Sequence, residues 1–323
     1  MNVEPIQWGI LGCGDVTEVK GGPAAMNREG RSRVVACMRR DGGKAADYAR
    51  RHSIDRSYDQ AAELIADPSV NAIYIATPPG SHRDLALQVA QAGKPCYVEK
   101  PMARFAKECD EMNAAFAKAG VPIFVAYYRR SLPRFVEAKR LIAAGELGDV
   151  TGVHYELARS FSPDRDHGWR TQPDISGGGL FLDLGSHLLD LLDHLLGPLE
   201  SVAGNVASHG DADVENVVAM SFQQPGGICG TARWNFAAAR DLDQLTIEGT
   251  AATLSMSCFG NEPLQLTPRE GETKPLDFPH GPHVQEHLMT HVIAHLLGEG
   301  ECPSTGESAA RTNRVMDRVL GRL

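Results

Sequence analysis

Through the first 125 residues, short runs rich in Val and Ile alternate with amphipathic helical stretches, and no other feature constrains the fold as tightly. The apolar runs are Ile6 to Leu11, Val34 to Met38, Ala72 to Ala76, Cys96 to Val98 and Ile123 to Ala126. Between them lie Lys44 to His52, Gln60 to Ala66, Arg83 to Ala92 and Ala103 to Ala119. Near-continuous apolar strands that alternate with helices predict a parallel sheet covered on both faces. Gly93 and Gly120 stand just past two of the helices, where a left-handed residue closes the last turn. After about residue 150 the pattern changes. Segments 149–159, 199–209, 214–224, 228–238 and 242–259 alternate or carry β-branched residues, which predicts a mostly antiparallel sheet. One helix is expected around 178–196, and helical spacing returns at 284–297 and 307–321. The expected class is α/β: a doubly wound domain over 1–125, then an α+β domain over 126–323 with a large, mostly antiparallel sheet. The C-terminal helices are free to pack back on the first domain.

Charge and cysteine use narrow the function classes. The chain carries 32 basic and 41 acidic residues, a net charge of −9, which argues against bulk nucleic-acid binding. No stretch reaches 18 apolar residues, so no spanning helix is expected. The start, Met1-Asn2-Val3-Glu4-Pro5, lacks a basic flank ahead of an apolar core and predicts no secretory leader. Cysteines at 13, 37, 96, 109, 229, 258 and 302 form no C-x-x-C pair. That usage predicts reduced thiols, a cytoplasmic location and no metal site.

The first strand runs straight into Gly9-Ile10-Leu11-Gly12-Cys13-Gly14-Asp15-Val16. Glycines here allow a tight turn and let a pyrophosphate approach the next helix's N-terminus, where free N–H groups favour anions. The turn is the first of a βαβ series, so it predicts a dinucleotide site and a Rossmann domain. The third fingerprint glycine is replaced by Thr17. An acid at the end of the second strand would bind the adenosine ribose, whereas arginine accommodates a 2′-phosphate. The strand ends in Arg39-Arg40-Asp41, which favours NADP through Arg39 and Arg40, while Asp41 keeps NAD open.

Glu99-Lys100-Pro101 follows the strand Cys96 to Val98, at the carboxyl edge where such sheets bind ligands. A lysine there can hydrogen-bond a substrate hydroxyl and share in its proton transfer. Thr77-Pro78-Pro79-Gly80-Ser81-His82 opens onto the same edge. In the second domain, Asp183, His187, Asp190 and His194 are spaced four, three and four, which on a helix makes one stripe among leucines. The stripe is a solvent edge or the lining of a cleft. A carboxylate one turn from an imidazole suits general acid/base chemistry near neutral pH.

Together these pieces resemble the Gfo/Idh/MocA oxidoreductases: Gly12-x-Gly14, Thr77-Pro-Pro-x-x-His82, Glu99-Lys100-Pro101, Gly177-Gly-Gly with Asp183-x-Gly-x-His187, and Cys302-Pro-Ser-Thr-Gly-Glu307-Ser. The resemblance covers nearly the whole chain. It implies a Rossmann domain followed by an α/β domain whose open sheet forms a subunit interface, hence a homodimer or homotetramer. It also implies hydride transfer between nicotinamide and a carbon bearing a hydroxyl on a sugar, inositol or related polyol. The implied catalytic residues are Lys100, Asp183 and His187: His187 exchanges the hydroxyl proton, Asp183 positions it, and Lys100 stabilises the developing oxyanion. Candidate cofactor contacts are Gly12, Cys13, Gly14, Asp15, Val16, Arg39, Arg40, Thr77, Pro78, His82, Glu99 and Lys100. Trp169 and Arg170 are implied walls of the substrate pocket, along with loops such as 160–176 and the second sheet. Tyr128 stands where many relatives carry asparagine. Two other functions fit the same fold: an NAD-dependent glycoside hydrolase, and a non-catalytic dinucleotide-binding regulator.

His283-Val-Gln-Glu286-His287 matches the inverted zinc-protease motif, and His291 and His295 continue at four-residue steps. A catalytic zinc needs a third protein ligand and an open position, and the acids beyond His295 sit too near the helix end. The expected reading is a partly exposed helix face.

Overall fold

The computed structural model describes residues 4–160, 168–210 and 212–323. Among these, two compact units form: residues up to Tyr128 with Gly281–Ala310, and Arg129–His280 with Arg311–Leu323.

In the first unit, β1 (Ile6–Leu11), β2 (Ser32–Met38), β3 (Arg56–Tyr58), β4 (Ala72–Ile75), β5 (Cys96–Val98) and β6 (Ile123–Val125) make a parallel sheet ordered β3-β2-β1-β4-β5-β6. The strand order reverses between β1 and β4, the switch point at which the loops leaving the carboxyl ends open a crevice. The core explains why the apolar runs are continuous. Ile73, Ile75, Val98 and Val125 of the sheet bury against Leu64 and Ile65 of helix Ala61–Ala66, Ala86 and Val89 of helix His82–Gln91, and Met112 and Phe116 of helix Ala106–Ala119. Strand β3 has no counterpart in the sequence reading, because Arg-Ser-Tyr carries no apolar run and pairs only with the edge of β2. Arg56 anchors it by an ion pair to Asp67 at 2.7 Å.

The segment 281–310, which carries the first of the C-terminal helices left free to pack back, groups with the first unit. Thr305 bridges Phe124 beside the sheet edge, and Ser304 Oγ donates to Val125 O at 2.7 Å.

The second unit holds β7 (Val150–Ala158), β8 (Glu200–Ala207), β9 (Val217–Gln224), β10 (Ile228–Asn235), β11 (Leu242–Gly249), β12 (Ala252–Met256), β13 (Leu264–Pro268) and β14 (Lys274–Leu276). Their order is β14-β13-β12-β11-β7-β10-β9-β8, antiparallel except for the β7–β10 pair. Alternation sets one wet face and one dry face. On β10, Ile228, Ala232 and Trp234 are buried, while Cys229, Thr231 and Arg233 are exposed. The expected single run 242–259 turns at Thr250-Ala251 into two strands, and β13 and β14 are too short and Pro-containing to read in advance. Phe181 meets Trp234 edge-on at 4.9 Å, which seats the segment leading into helix Ser186–Leu196 on the dry face. Among the described residues, no helix is long and apolar enough to cross a membrane.

Candidate active site

In the first unit, the glycine turn is pinned to the end of β2. The N–H groups of Gly12 and Cys13 both donate to Met38 O, at 2.9 and 3.1 Å. Gly12 adopts φ +91°, and a Cβ there would stand 2.6 Å from Thr77 Cγ2, so only glycine brings this turn against the Thr77 loop. At Gly14 no described atom lies within 4 Å of where a Cβ would stand, which leaves the start of helix Asp15–Val19 open to a ligand. Thr17 fits the third fingerprint position by capping that turn itself. Its hydroxyl donates to Gly14 O at 2.8 Å and accepts the Gly14 N–H at 3.0 Å. Asp15 is exposed and Val16 half-buried beside it. Cys13 is buried; a hydrogen bond from the Cys37 thiol lowers its pKa and Arg39 adds to this, while the Cys37 thiol is pushed up.

Arg39 and Arg40 are exposed at the end of β2. Arg39 Nη1 reaches Cys13 O at 3.4 Å, so its guanidinium lies beside the glycine turn. Asp41 is used differently. It caps helix Gly42–His52, accepting the Lys44 N–H at 3.1 Å, and that bond lowers its pKa.

The Thr77 and Lys100 loops are joined by His82, whose side chain is fully buried. His82 Nε2 faces Thr77 O at 2.7 Å, and Nδ1 faces Pro101 O and Met102 O at 3.1 and 3.2 Å. Burial pushes its pKa down. The Lys100–Pro101 bond is cis, and Lys100 is half-buried. Thr77 Oγ1 accepts the Ser81 hydroxyl at 2.7 Å, with Pro78 half-buried beside it. Glu99 turns inward, accepting Tyr74 OH at 2.7 Å and Gln285 Nε2 at 2.6 Å. His82 and Glu99, both candidate cofactor contacts, therefore face other protein groups with their side chains.

In the second unit, the expected single stripe from Asp183 to His194 is broken. Phe181–Gly185 is a π-helical turn, and the α-helix begins at Ser186. The wider turn rotates Asp183 away from the row that a uniform helix would give. Asp183 stays partly exposed and accepts Arg170 Nε at 3.0 Å, while Arg170 stacks over Trp169 at 4.6 Å. His187 is 3 % exposed, its ring edge-on to Phe259 at 5.9 Å. Asp190 instead belongs to the interior. It is fully buried and takes Arg130 Nε and Nη2, both at 2.8 Å. Tyr128, placed with the first unit, is buried at the start of the short turn Tyr128–Ser131. The pocket loop expected over 160–176 lies outside the described residues from 161 to 167.

His194 shows what burial does at the end of this helix. Desolvation, then Arg130 and Lys139, lower its pKa to about 3. Because the unfolded chain binds this proton near pH 6.5 and the folded one does not, stability is full above that value and falls as pH drops toward 3. Chemical denaturation at stepped pH should show this acid limb, and His194→Gln should flatten it.

The zinc-protease spacing does not form one face, because His283 precedes helix Glu286–Leu296. His295 packs edge-on to Phe124 at 5.0 Å and accepts the Cys302 N–H at 3.3 Å. Among the described residues no group of three metal-ligating side chains forms. Gln285, inside that motif, is the buried partner of Glu99; its partner lies 186 residues away in sequence, so no local pattern signals it.

Residues 6–127 match the model of an oxidoreductase family with an NAD-binding Rossmann fold, and residues 135–255 match the GFO/IDH/MocA C-terminal domain. The chain belongs to the GFO/IDH/MocA oxidoreductase family. Within it, an oxidoreductase of Formosa agariphila is 34 % identical over 98 % of both chains. The trans-1,2-dihydrobenzene-1,2-diol dehydrogenase of Bos taurus is 28 % identical over 86 % of this chain and 81 % of its own. A levoglucosan dehydrogenase solved with NADH and levoglucosan superposes with TM-score 0.87 at 21 % identity, covering 98 % of this chain and 97 % of that one. An aldose-aldose oxidoreductase from Caulobacter crescentus, solved with glycerol, gives TM-score 0.87 at 22 % identity over the same shares. The GFO/IDH/MocA fold calls for a dinucleotide, and the residues fit one: the open start of the helix after Gly14 faces the switch-point edge.

Proposed function

We propose that this oxidoreductase moves hydride between NADP, preferred over NAD, and a secondary alcohol or ketone of a sugar, inositol or related polyol. The observation that carries the reading is Asp183. Of the acids from 183 to 193 it is the one left partly exposed, paired with Arg170 and four residues from His187. The names of the levoglucosan and aldose neighbours support a carbohydrate as substrate.

The bound nicotinamide supplies the hydride donor or acceptor. His187 exchanges the proton of the substrate hydroxyl, and Asp183 orients substrate and imidazole. Lys100 hydrogen-bonds the same oxygen and stabilises its developing negative charge. Arg170, Trp169 and Tyr128 bound the substrate. The polar exposed face of the second sheet is the proposed contact in a homodimer or homotetramer.

The preference for NADP rests on Arg39 and Arg40. Asp41 already spends one carboxylate oxygen on its helix cap, whereas both arginines are exposed and can meet a phosphate. Arg39→Asp should weaken NADPH binding about tenfold or more, with NADH within about threefold. Paired fluorescence titrations test this, and equal losses for both cofactors would remove Arg39 from phosphate recognition.

A further inference from the structure

Gln285 is 1 % exposed and stands immediately before helix Glu286–Leu296. Both ends of its amide are used. The Glu99 carboxylate, as an acceptor, takes Nε2 at 2.6 Å, and the amide oxygen accepts Tyr97 OH at 2.9 Å. The backbone is tied too: Gln285 N–H donates to Lys20 O at 3.2 Å. Gly21 leaves the room required, since a Cβ there would collide with Gln285 Oε1.

Glu99 relays this arrangement to the carboxyl edge. Its Oε1 also accepts Tyr74 OH at 2.7 Å, and its Oε2 accepts the backbone N–H of Lys100 at 3.3 Å. Burial holds Tyr74 and Tyr97 well above the usual phenol range, so both remain donors. Without the Gln285 amide, a carboxylate that is only 6 % exposed loses one of its donors and must turn to regain it. The bond to the Lys100 backbone is the longest of the three and is the one such a turn gives up.

We propose that Gln285 is a positioning residue that fixes the Glu99 carboxylate and, through it, the backbone of Lys100. The proposal rests on the reading of Lys100 as the residue at the substrate oxygen. It gives the returning segment 281–310 a part in the reaction beyond completing the first unit.

The test compares Gln285→Leu, Gln285→Glu and Tyr97→Phe in the full chain, with kcat, KM, NADPH affinity and thermal midpoint measured for each. Gln285→Leu should lower kcat about tenfold or more, with KM and NADPH affinity within about threefold. Tyr97→Phe removes only the hydroxyl that orients the amide and should give the same split at about threefold. Gln285→Glu sets a second carboxylate against Glu99, and one shared proton restores the bond. Its kcat relative to the parent should therefore rise as pH falls from about 8 to about 6. Unchanged kcat in Gln285→Leu, or loss of kcat matched by equal loss of NADPH affinity, overturns the proposal. If Gln285→Leu does not fold, a parental kcat in Tyr97→Phe or a parental pH profile in Gln285→Glu does the same. Lys100→Met separates the two ideas. Full turnover in that variant overturns the Lys100 reading and this proposal with it, whereas lost turnover there beside a parental Gln285→Leu overturns the role of Gln285 alone.

Discussion

Replacing His187 with alanine should lower turnover about 100-fold or more while leaving the affinity for the nicotinamide cofactor within about threefold. The reason lies in what oxidising a carbinol requires: as hydride leaves the carbon, the hydroxyl must lose its proton, and a positioned base lowers that barrier. His187 has the confinement such a base needs, being 3 % exposed with its ring held edge-on to Phe259 at 5.9 Å. Phe259 is fixed in turn, its N–H donating to Asp243 Oδ2 at 2.6 Å and its ring lying under Arg129 at 4.4 Å. In the proposed role the imidazole therefore has little freedom to lose on reaching the transition state. Asp183→Asn, which keeps the Arg170 contact but removes the charge, should cost less than the alanine change at His187. Steady-state kinetics on a carbohydrate or polyol substrate, with cofactor binding measured separately, decide the point. Full turnover in His187→Ala would remove this residue from the proton path.

What the sequence discloses, and what it hides, follows from the range of each interaction. Gly12, Thr77 and Lys100 are legible because each sits directly after an apolar strand, and the ends of parallel strands converge on one edge whatever the details between them. Thr17 reads as a departure from the glycine fingerprint, yet its hydroxyl closes the same turn from inside the helix. The spacing of Asp183 and His187 is legible as well, but their geometry is not. Counting by 3.6 residues per turn assumes a uniform helix, and the π-helical stretch Phe181–Gly185 breaks that assumption. The same count puts Asp190 in line with His187, and only the partner decides its role. Arg130 lies 60 residues earlier, in a Tyr-Tyr-Arg-Arg run whose local pattern does not point to that partner. Gln285 is hidden more deeply, inside a spacing that imitates a metal site, with a partner on the opposite arm of the chain.

The buried ion pair carries the largest stability effect expected in the second unit. Arg130→Met should destabilise the protein by about 3–5 kcal/mol, because it strands the Asp190 carboxylate in the interior. Desolvation works to raise the pKa of Asp190, which is 0 % exposed, and the Arg130 guanidinium opposes it with two hydrogen bonds at 2.8 Å. Arg130 also reaches Asp193 Oδ1 at 3.0 Å, but Asp193 keeps a second partner in Arg311 at 2.7 Å. The cost of the substitution therefore falls on Asp190. Arg311→Ala makes the contrast: its side chain is 45 % exposed, water can replace it, and its loss should cost under about 1 kcal/mol. Arg130→Met combined with Asp190→Leu removes both charges, and it should recover most of the lost stability because neither group is left unpaired. Urea unfolding of the four proteins measures the differences. A single Arg130→Met loss no larger than that of Arg311→Ala would mean that water or a shifted side chain reaches Asp190, and that the pair fixes the direction of helix Ser186–Leu196 without stabilising it.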